Sequence, residues 1–241
     1  ELTREIVKRV SRVIAIEKDP ELAIRVRGLG FRNLEVITGD ALKILPSLTN
    51  TPKTSAGGGS LPVRQAGVFG GKNYKLLGNI PYYITGQLLR VLGELKNPPV
   101  SMVLAVQKEV AERISAGPPR MNLLAAAVQI WASVQVVESI PRKSFVPPPE
   151  VDSAIIKLTP KRREMSGDDL KNYYKTIRVI FKQPRKTLWN NLRAAIKNDQ
   201  KLNLILKKIG FTKSTRPQEL SVEKITDLDR LLGDLGDYGN K

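Results

Sequence analysis

The sequence contains no cysteine and no histidine. Disulfide bonds, thiolate nucleophiles and imidazole bases are therefore excluded, and no metal site is expected, because zinc in particular is bound mainly by these two residues. Any chemistry must use other groups. This favours a reaction in which a cofactor supplies the activated group and the protein positions the reactants.

Long apolar runs are also missing. No run reaches the roughly 18 to 20 residues that a transmembrane helix needs. The first residues do not follow the charged-then-apolar pattern of a signal peptide. We therefore expect the protein to stay in the compartment where it is made, by default the bacterial cytoplasm. No exposed apolar stripe stands out, so a monomer is expected.

Positive charge is what the sequence has in excess. Forty Lys and Arg stand against 23 Asp and Glu, a net charge of +17. Residues 161–213 hold 15 Lys and Arg against 4 Asp and Glu, about two-thirds of the excess. A polyanionic partner is expected, with nucleic acid favoured over membrane. Any one of these cations is more often a solvated surface charge than a binding residue. Because the cations are concentrated in one segment, we predict phosphate contacts by a group of four: Lys182, Arg185, Lys186 and Arg193.

Short apolar runs rich in β-branched residues alternate with helical segments through the first 160 residues. Strands are predicted at 12–17, 34–38, 74–77, 101–106, 134–140 and 154–158, and helices at 1–10, 20–27, 85–95, 108–115 and 121–132. Asp19 and Thr85 are predicted to cap the helices that follow them. The alternation indicates an α/β domain with a parallel, doubly wound sheet whose late edge strands are antiparallel.

The pattern changes after residue 160. Only helical spacing is found there, around 170–181, 188–196, 202–209 and 222–235. We therefore predict two domains, an α/β domain over 1–160 and a small all-helical domain over 161–241. Residues 50–73 contain six glycines and two prolines, which predicts a long surface insertion within the first domain.

Acidic residues lie at the carboxyl ends of the first two predicted strands. In nucleotide-binding α/β sheets, ligands lie beyond the carboxyl ends of the strands, where an acid can accept hydrogen bonds from a ribose diol. Glu17 is a candidate for that role, although a plain surface acid is the commoner case. Asp40 could accept from the amine of a cofactor adenine, or it could simply cap a helix that begins near Ala41.

A second candidate site follows the strand at 74–77. The side chain of Asn79 and the carbonyl of Ile80 can both accept from an exocyclic amine, which draws its lone pair out of conjugation. Pro81 makes the turn rigid, and Tyr82 offers a ring on which an extruded base can stack. An ordinary proline turn would explain an isolated match. The position after a parallel strand, downstream of two strand-end acids, favours a substrate site.

These four residues resemble the Asn-Leu-Pro-Tyr motif of the ribosomal RNA adenine N6-methyltransferases, a Rossmann-like family that uses S-adenosylmethionine. Residues 106–113 (VQKEVAER) and 145–153 (FVPPPEVDS) resemble later motifs of that family. Residues 181–192 (FKQPRKTLWNNL) and 216–221 (RPQELS) resemble the C-terminal domain of the small-subunit dimethyltransferases. The similarity covers nearly the whole chain except residues 50–73.

The resemblance implies roles for individual residues. Glu17 would bind the cofactor ribose, Asp40 with Ala41 its adenine region, and Asn79 would lie beside both cofactor and substrate. Ile80 and Tyr82 would help Asn79 to hold the target adenine. Phe145 would help to sandwich the extruded base. Without the resemblance, Phe145 could equally be a core aromatic residue before a polyproline turn. The implied reaction is dimethylation of adenine in the rRNA of the small ribosomal subunit.

Two departures from the family and two rival functions stay open. The family's first strand and glycine-rich cofactor loop would precede Glu1, so the chain is expected to be a fragment that is inactive alone. The insertion at 50–73 is longer than usual for the family. The rivals are a large-subunit rRNA adenine methylase, which shares the Asn-x-Pro-Tyr motif, and a non-catalytic ribosome assembly factor.

Overall fold

The computed structural model of the protein describes residues 1–49, 73–162, 167–196 and 198–233. The strands are β1 (Val13–Glu17), β2 (Leu34–Thr38), β3 (Lys75–Asn79), β4 (Ser101–Gln107), β5 (Ala132–Ile140) and β6 (Ser153–Pro160). The helices are α1 (Leu2–Val7), α2 (Pro20–Arg27), α3 (Ala41–Thr49), α4 (Thr85–Glu94), α5 (Lys108–Ser115), α6 (Leu123–Gln129), α7 (Gly167–Ile180), α8 (Leu188–Arg193), α9 (Asp199–Lys208) and α10 (Val222–Gly233). The predicted insertion lies outside the described residues, apart from Asn73.

The described strands form two sheets. β1 pairs with β2 in parallel, and the second sheet has the order β3-β4-β6-β5. Within it β3 and β4 are parallel, whereas β6 is antiparallel to both β4 and β5. The predicted parallel pairs and antiparallel edge are therefore confirmed. The β1–β2 pair and the four-stranded sheet each lie within their own part of the described chain.

One compact unit comprises Glu1–Tyr74 and Gly86–Pro98. Its β1–β2 pair contributes Ile37 to a small core with Ile44 and Leu48 of α3. Asp19 caps α2 as predicted, since its side chain accepts from the backbone N–H groups of the second and third helical residues at 2.8 and 3.2 Å. The packing of Ile37 against Ile44 and Leu48 holds α3 next to the end of β2.

The second unit comprises Lys75–Thr85 and Pro99–Lys241. Its central strands are buried, with Leu104 of β4 and Ile156 of β6 completely inaccessible to solvent. Such nearly continuous apolar strands are typical of a sheet covered on both faces. The sheet therefore gives a fixed support to the residues that follow the ends of β3 and β4.

The helices after residue 167 share one apolar core with α6. Tyr173 of α7 is fully buried and its hydroxyl donates to the Ala126 carbonyl of α6 at 3.1 Å. Burial raises the pKa of Tyr173 far above its ordinary value, so the hydroxyl stays a donor. Thr176 of α7 likewise donates to the buried Asp229 of α10. None of the helices in the described ranges combines the length and apolarity that crossing a bilayer requires.

Two local predictions were wrong. The first helix ends at Val7 rather than at residue 10, and Lys8 is its C-cap. Thr85 does not cap α4, because a 3₁₀ turn over Tyr82–Ile84 leads straight into the helix and gives Thr85 helical angles (φ −52°, ψ −48°). Its Oγ1 is buried without a hydrogen-bond partner among the described residues. Hydrogen bonds of the preceding turn replace the expected side-chain cap.

Candidate functional site

The first two parallel strands bring two acidic residues to one edge. Glu17 ends β1 opposite Thr38, the last residue of β2. The N–H of Gly39 donates to the Glu17 carbonyl at 2.8 Å, which extends the pairing by one residue to the position before Asp40. The prediction that Glu17 and Asp40 belong to neighbouring strand ends is therefore confirmed.

Glu17 has acceptor capacity to spare. Its carboxylate is half-buried, and Oε1 accepts from the N–H of Asp19 at 2.9 Å. Oε2 has no hydrogen bond to a described residue. An ionised carboxylate offers about four lone-pair positions, so the side chain can be held by its own loop and still accept from two hydroxyl groups.

Asp40 caps the N-terminus of α3. Its Oδ1 accepts from the N–H of Leu42 at 3.0 Å, and its carbonyl accepts from the N–H groups of Lys43 and Ile44 at 3.0 Å. The capping role that sequence left open is thus present, with Ala41 as the first helical residue. The second carboxylate oxygen is not used by the cap, so capping and binding an amine are compatible.

Gly39, which directly precedes Asp40, has a backbone conformation that favours glycine. Its φ is +149°, and a Cβ there would lie 2.8 Å from Cδ1 of Ile44. Gly39→Ala is expected to lower the free energy of unfolding by about 1–3 kcal/mol, the usual cost of a conformation that only glycine adopts readily. Urea denaturation measures this change.

Gly28→Ala is the matched control. Gly28 has an ordinary helical φ of −62° at the end of α2. Its substitution is expected to leave stability unchanged or to raise it by up to about 1 kcal/mol. Equal losses at the two glycines would show that the backbone of Gly39 is not strained by a side chain.

In the second unit, β3 presents Asn79 at its carboxyl end, opposite Ala105 of β4. The Asn79 side chain is exposed and makes no hydrogen bond to a described residue. Gly78 allows close packing just before it, since a Cβ there would lie 3.0 Å from Cδ2 of Leu104. Pro81 has extended angles, and its carbonyl accepts from the N–H of Ile84 at 3.2 Å. Asn79 therefore offers, on a rigid support, an amide that no described residue engages.

Tyr82 is held by a contact that sequence reasoning missed. Its hydroxyl lies 2.6 Å from Oγ of Ser153, the completely buried first residue of β6. The bond spans 71 residues and joins the Asn79–Tyr82 turn to the end of the motif at 145–153. The half-buried Tyr82 ring is thus fixed in place. The only sequence signal for Ser153 was its position at the end of that motif.

Phe145 lies on a loop that is closed at its base. The N–H of Arg142 donates to Oδ1 of Asp152 at 2.9 Å, and the Asp152 carbonyl accepts from the N–H of Lys108 at 2.9 Å. Phe145 itself is half-buried, and its backbone N–H donates to the Arg142 carbonyl at 3.2 Å. Since Asp152 precedes Ser153, the loop of Phe145 and the turn of Tyr82 are anchored at adjacent residues.

A cleft of about 610 Å³ opens beside this anchor. Its lining residues are Gln107, Lys108, Glu109, Glu112, Arg142, Glu150, Val151 and Asp152. Four acidic residues outnumber the two basic residues of this lining, so the cleft carries net negative charge and does not form a phosphate-binding surface.

The four predicted phosphate-binding cations are all exposed in the helical part of the second unit. Arg193 differs from the other three because it forms an ion pair, with its Nε 3.1 Å from Oδ2 of Asp199. Lys182, Arg185 and Lys186 have no acidic partner in the described part of the chain. These three cations are available to an anionic ligand.

The fold is that of a class, the Rossmann-like methyltransferases. Two solved structures share the fold. The crystal structure of the 23S rRNA methyltransferase ErmE has a TM-score of 0.67 at 23% identity, over 96% of this chain and 86% of that one. That of a dimethyladenosine transferase from Plasmodium falciparum has a TM-score of 0.72 at 25% identity, over 99% and 88%.

Sequence comparison identifies the family. The model of the ribosomal RNA adenine dimethylase family matches residues 1–233. Relatives named ribosomal RNA small subunit methyltransferase A include one from Dehalococcoides mccartyi, 36% identical over 92% of this chain and 72% of its own length. Another, from a Nostoc species, is 33% identical over 96% and 83%. The chain belongs to the ribosomal RNA adenine dimethylase family, which confirms the resemblance carried by its motifs.

Proposed function

We propose that the protein transfers methyl groups from S-adenosylmethionine to the exocyclic amine of adenines in small-subunit rRNA, giving N6,N6-dimethyladenine. The observation that carries this proposal is the turn after β3, which combines an exposed Asn79 amide that no described residue engages with a Tyr82 hydroxyl bonded to the buried Ser153. The names of the small-subunit relatives support the choice of substrate.

The residues of this turn act on the target base. Oδ1 of Asn79 and the carbonyl of Ile80 would accept from the amine of an extruded adenine, so that its lone pair is directed away from the ring and can attack the methyl group. The bond from that methyl group to sulfur would break, and its electron pair would stay on the sulfur of the departing S-adenosylhomocysteine. Tyr82 and Phe145 stack on the base. The proton leaves from the alkylated nitrogen, which is strongly acidic, so no general base is required before attack. The absence of histidine is consistent with this chemistry.

The strand-end acids fit the cofactor. S-adenosylmethionine supplies a methyl group made electrophilic by its sulfonium. The unused oxygen of Glu17 would accept from the ribose hydroxyls, and the unused oxygen of Asp40, with Ala41 beside it, would accept from the adenine amine. Asn79 is also proposed to contribute to the cofactor site.

Glu17→Ala is expected to weaken S-adenosylmethionine binding by about 10- to 100-fold, through the net loss of one charge-assisted hydrogen bond of roughly 1.5–3 kcal/mol. Calorimetry on the full-length protein measures the dissociation constant. Glu21→Ala is the control, since Glu21 is an exposed acid of α2 whose side chain has no described partner. Equal affinities for Glu17→Ala and the unaltered protein would remove Glu17 from the cofactor site.

Residues 161–241 are proposed to form the RNA-docking domain, with Lys182, Arg185 and Lys186 at its phosphate contacts. Arg193 stays in the proposal, although its ion pair with Asp199 must be exchanged for a phosphate. We propose that the protein acts as a monomer in the bacterial cytoplasm. The segment 181–192, which resembles the small-subunit enzymes, favours the small subunit over the large one as partner.

Substrate choice is tested with ribosomal subunits that lack the adenine methylation. The full-length protein is incubated with tritiated cofactor and either small or large subunits. Label in small-subunit rRNA alone is the expected result. Label in large-subunit rRNA would instead support the large-subunit methylase, and binding to the small subunit without label would support an assembly factor.

A further inference from the structure

One buried amide organises the turn between α7 and α8. Asn191 of α8 is 5% exposed. Its Oδ1 accepts from the N–H of Gln183 at 3.0 Å, and its Nδ2 lies 3.1, 3.2 and 3.4 Å from the carbonyl oxygens of Gln183, Thr187 and Lys186. A single side chain therefore bonds the backbone at both ends of the turn over residues 182–187.

This turn, which we call the basic turn, carries three exposed cations without described acidic partners: Lys182, Arg185 and Lys186. Within the basic turn, the backbone N–H of Lys186 donates to the carbonyl of Gln183 at 2.9 Å. Thr187 ends the turn by capping α8, since its Oγ1 accepts from the N–H of Asn190 at 3.3 Å. The three cations thus extend from a backbone that is fixed before any ligand binds.

Backbone order matters here because lysine and arginine side chains are flexible. The direction in which each leaves the surface is set by its Cα–Cβ bond, hence by the backbone of the turn. A turn without the amide would have to be ordered during binding, at a cost in affinity. The cations would still be present, but they would no longer match a fixed spacing of phosphates.

We infer that Asn191 is a positioning residue for RNA binding, acting through the basic turn rather than by touching RNA. The inference rests on the proposed docking of RNA on Lys182, Arg185 and Lys186. It assigns to the second asparagine of the NNL sequence at 190–192 a role in substrate affinity that is separate from the methyl-transfer step.

The test is a thermodynamic cycle on the full-length protein, with unmethylated small ribosomal subunits as the probe. Four proteins are compared: unaltered, Asn191→Ala, the triple variant Lys182→Ala/Arg185→Ala/Lys186→Ala, and the quadruple variant. Asn191→Ala is expected to raise the dissociation constant on the order of tenfold, comparable to the loss of one charge-assisted hydrogen bond. In the triple background it is expected to change the constant less than twofold, because the groups through which it acts are gone.

Two further readouts separate positioning from general damage. The salt dependence of binding should become shallower in Asn191→Ala, since each lost phosphate contact removes about 0.7–0.9 from the slope of log affinity against log salt concentration. The kcat at saturating substrate should stay unchanged while KM rises. Asn190→Ala is the matched control, because Asn190 is exposed and its side chain has no described partner.

Asn191→Ser gives the same test if the alanine variant does not fold, because its hydroxyl keeps one polar group for the buried backbone atoms but is too short to bond both ends of the turn. A tenfold effect that persists in the triple background, or an unchanged affinity and salt slope in a folded Asn191 variant, would overturn the inference alone. An unchanged affinity of the triple variant would overturn both the inference and the proposed docking surface.

Discussion

Asn79→Ala is expected to lower kcat for methyl transfer by roughly 10²- to 10³-fold, the usual effect of removing one preorganised group that stabilises a transition state. The side chain is proposed to accept from the adenine amine as the nitrogen becomes positively charged. It lies at the end of β3, exposed and without a described hydrogen-bond partner. Its removal should therefore cost activity without costing stability.

Single-turnover methylation of unmethylated small subunits measures this effect, with thermal unfolding of the same sample as a check on folding. The melting temperature should change by no more than about 2 °C, as for an ordinary surface substitution. Asn190→Ala should retain full kcat. Retention of more than a tenth of the rate by Asn79→Ala would show that the Ile80 carbonyl or another group activates the amine.

Two substitutions of Tyr82 are expected to have different effects. Tyr82→Ala removes the stacking ring, and adenine binding should weaken by roughly 1–3 kcal/mol. Tyr82→Phe keeps the ring and should keep most of the affinity. Both variants lose the hydrogen bond to the buried Ser153, and leaving that hydroxyl unpaired should lower the free energy of unfolding by about 1–3 kcal/mol.

A double variant separates the two roles of Tyr82. Tyr82→Phe combined with Ser153→Ala removes both partners of the hydrogen bond, so much of the stability lost in Tyr82→Phe should return. Urea denaturation and RNA-binding titrations give the two quantities. A Tyr82→Phe protein as stable as the unaltered one would mean that the hydroxyl contact contributes nothing. Equal adenine affinity of Tyr82→Ala would exclude stacking.

Local sequence patterns predicted the features that depend on neighbouring residues. The runs ending at Glu17 and Thr38 are β-branched and short, which is why their strands and the acids beyond them were found. Asp19 before Pro20 specified a capped helix through local hydrogen bonds alone. Thr85 shows the limit of such reasoning, since the same local preference was overridden by the 3₁₀ turn before it.

The missed features depend on contacts between distant parts of the chain. Ser153 gains its role only when β6 places it against Tyr82, and no spacing rule connects residues 71 positions apart. The partner of Arg193 belongs to the next helix, so its charge looked free in the sequence. Asn191 was part of a recognised segment, but its role became visible only from the four backbone atoms around its amide.

The central claim is methyl transfer to small-subunit adenine through the turn at Asn79. Its most direct test is nucleoside analysis by mass spectrometry of small-subunit rRNA after incubation of unmethylated subunits with S-adenosylmethionine and the full-length protein. We expect N6,N6-dimethyladenosine with the unaltered protein and almost none with Asn79→Ala. Unmodified adenosine with a folded, subunit-bound, unaltered protein would contradict it.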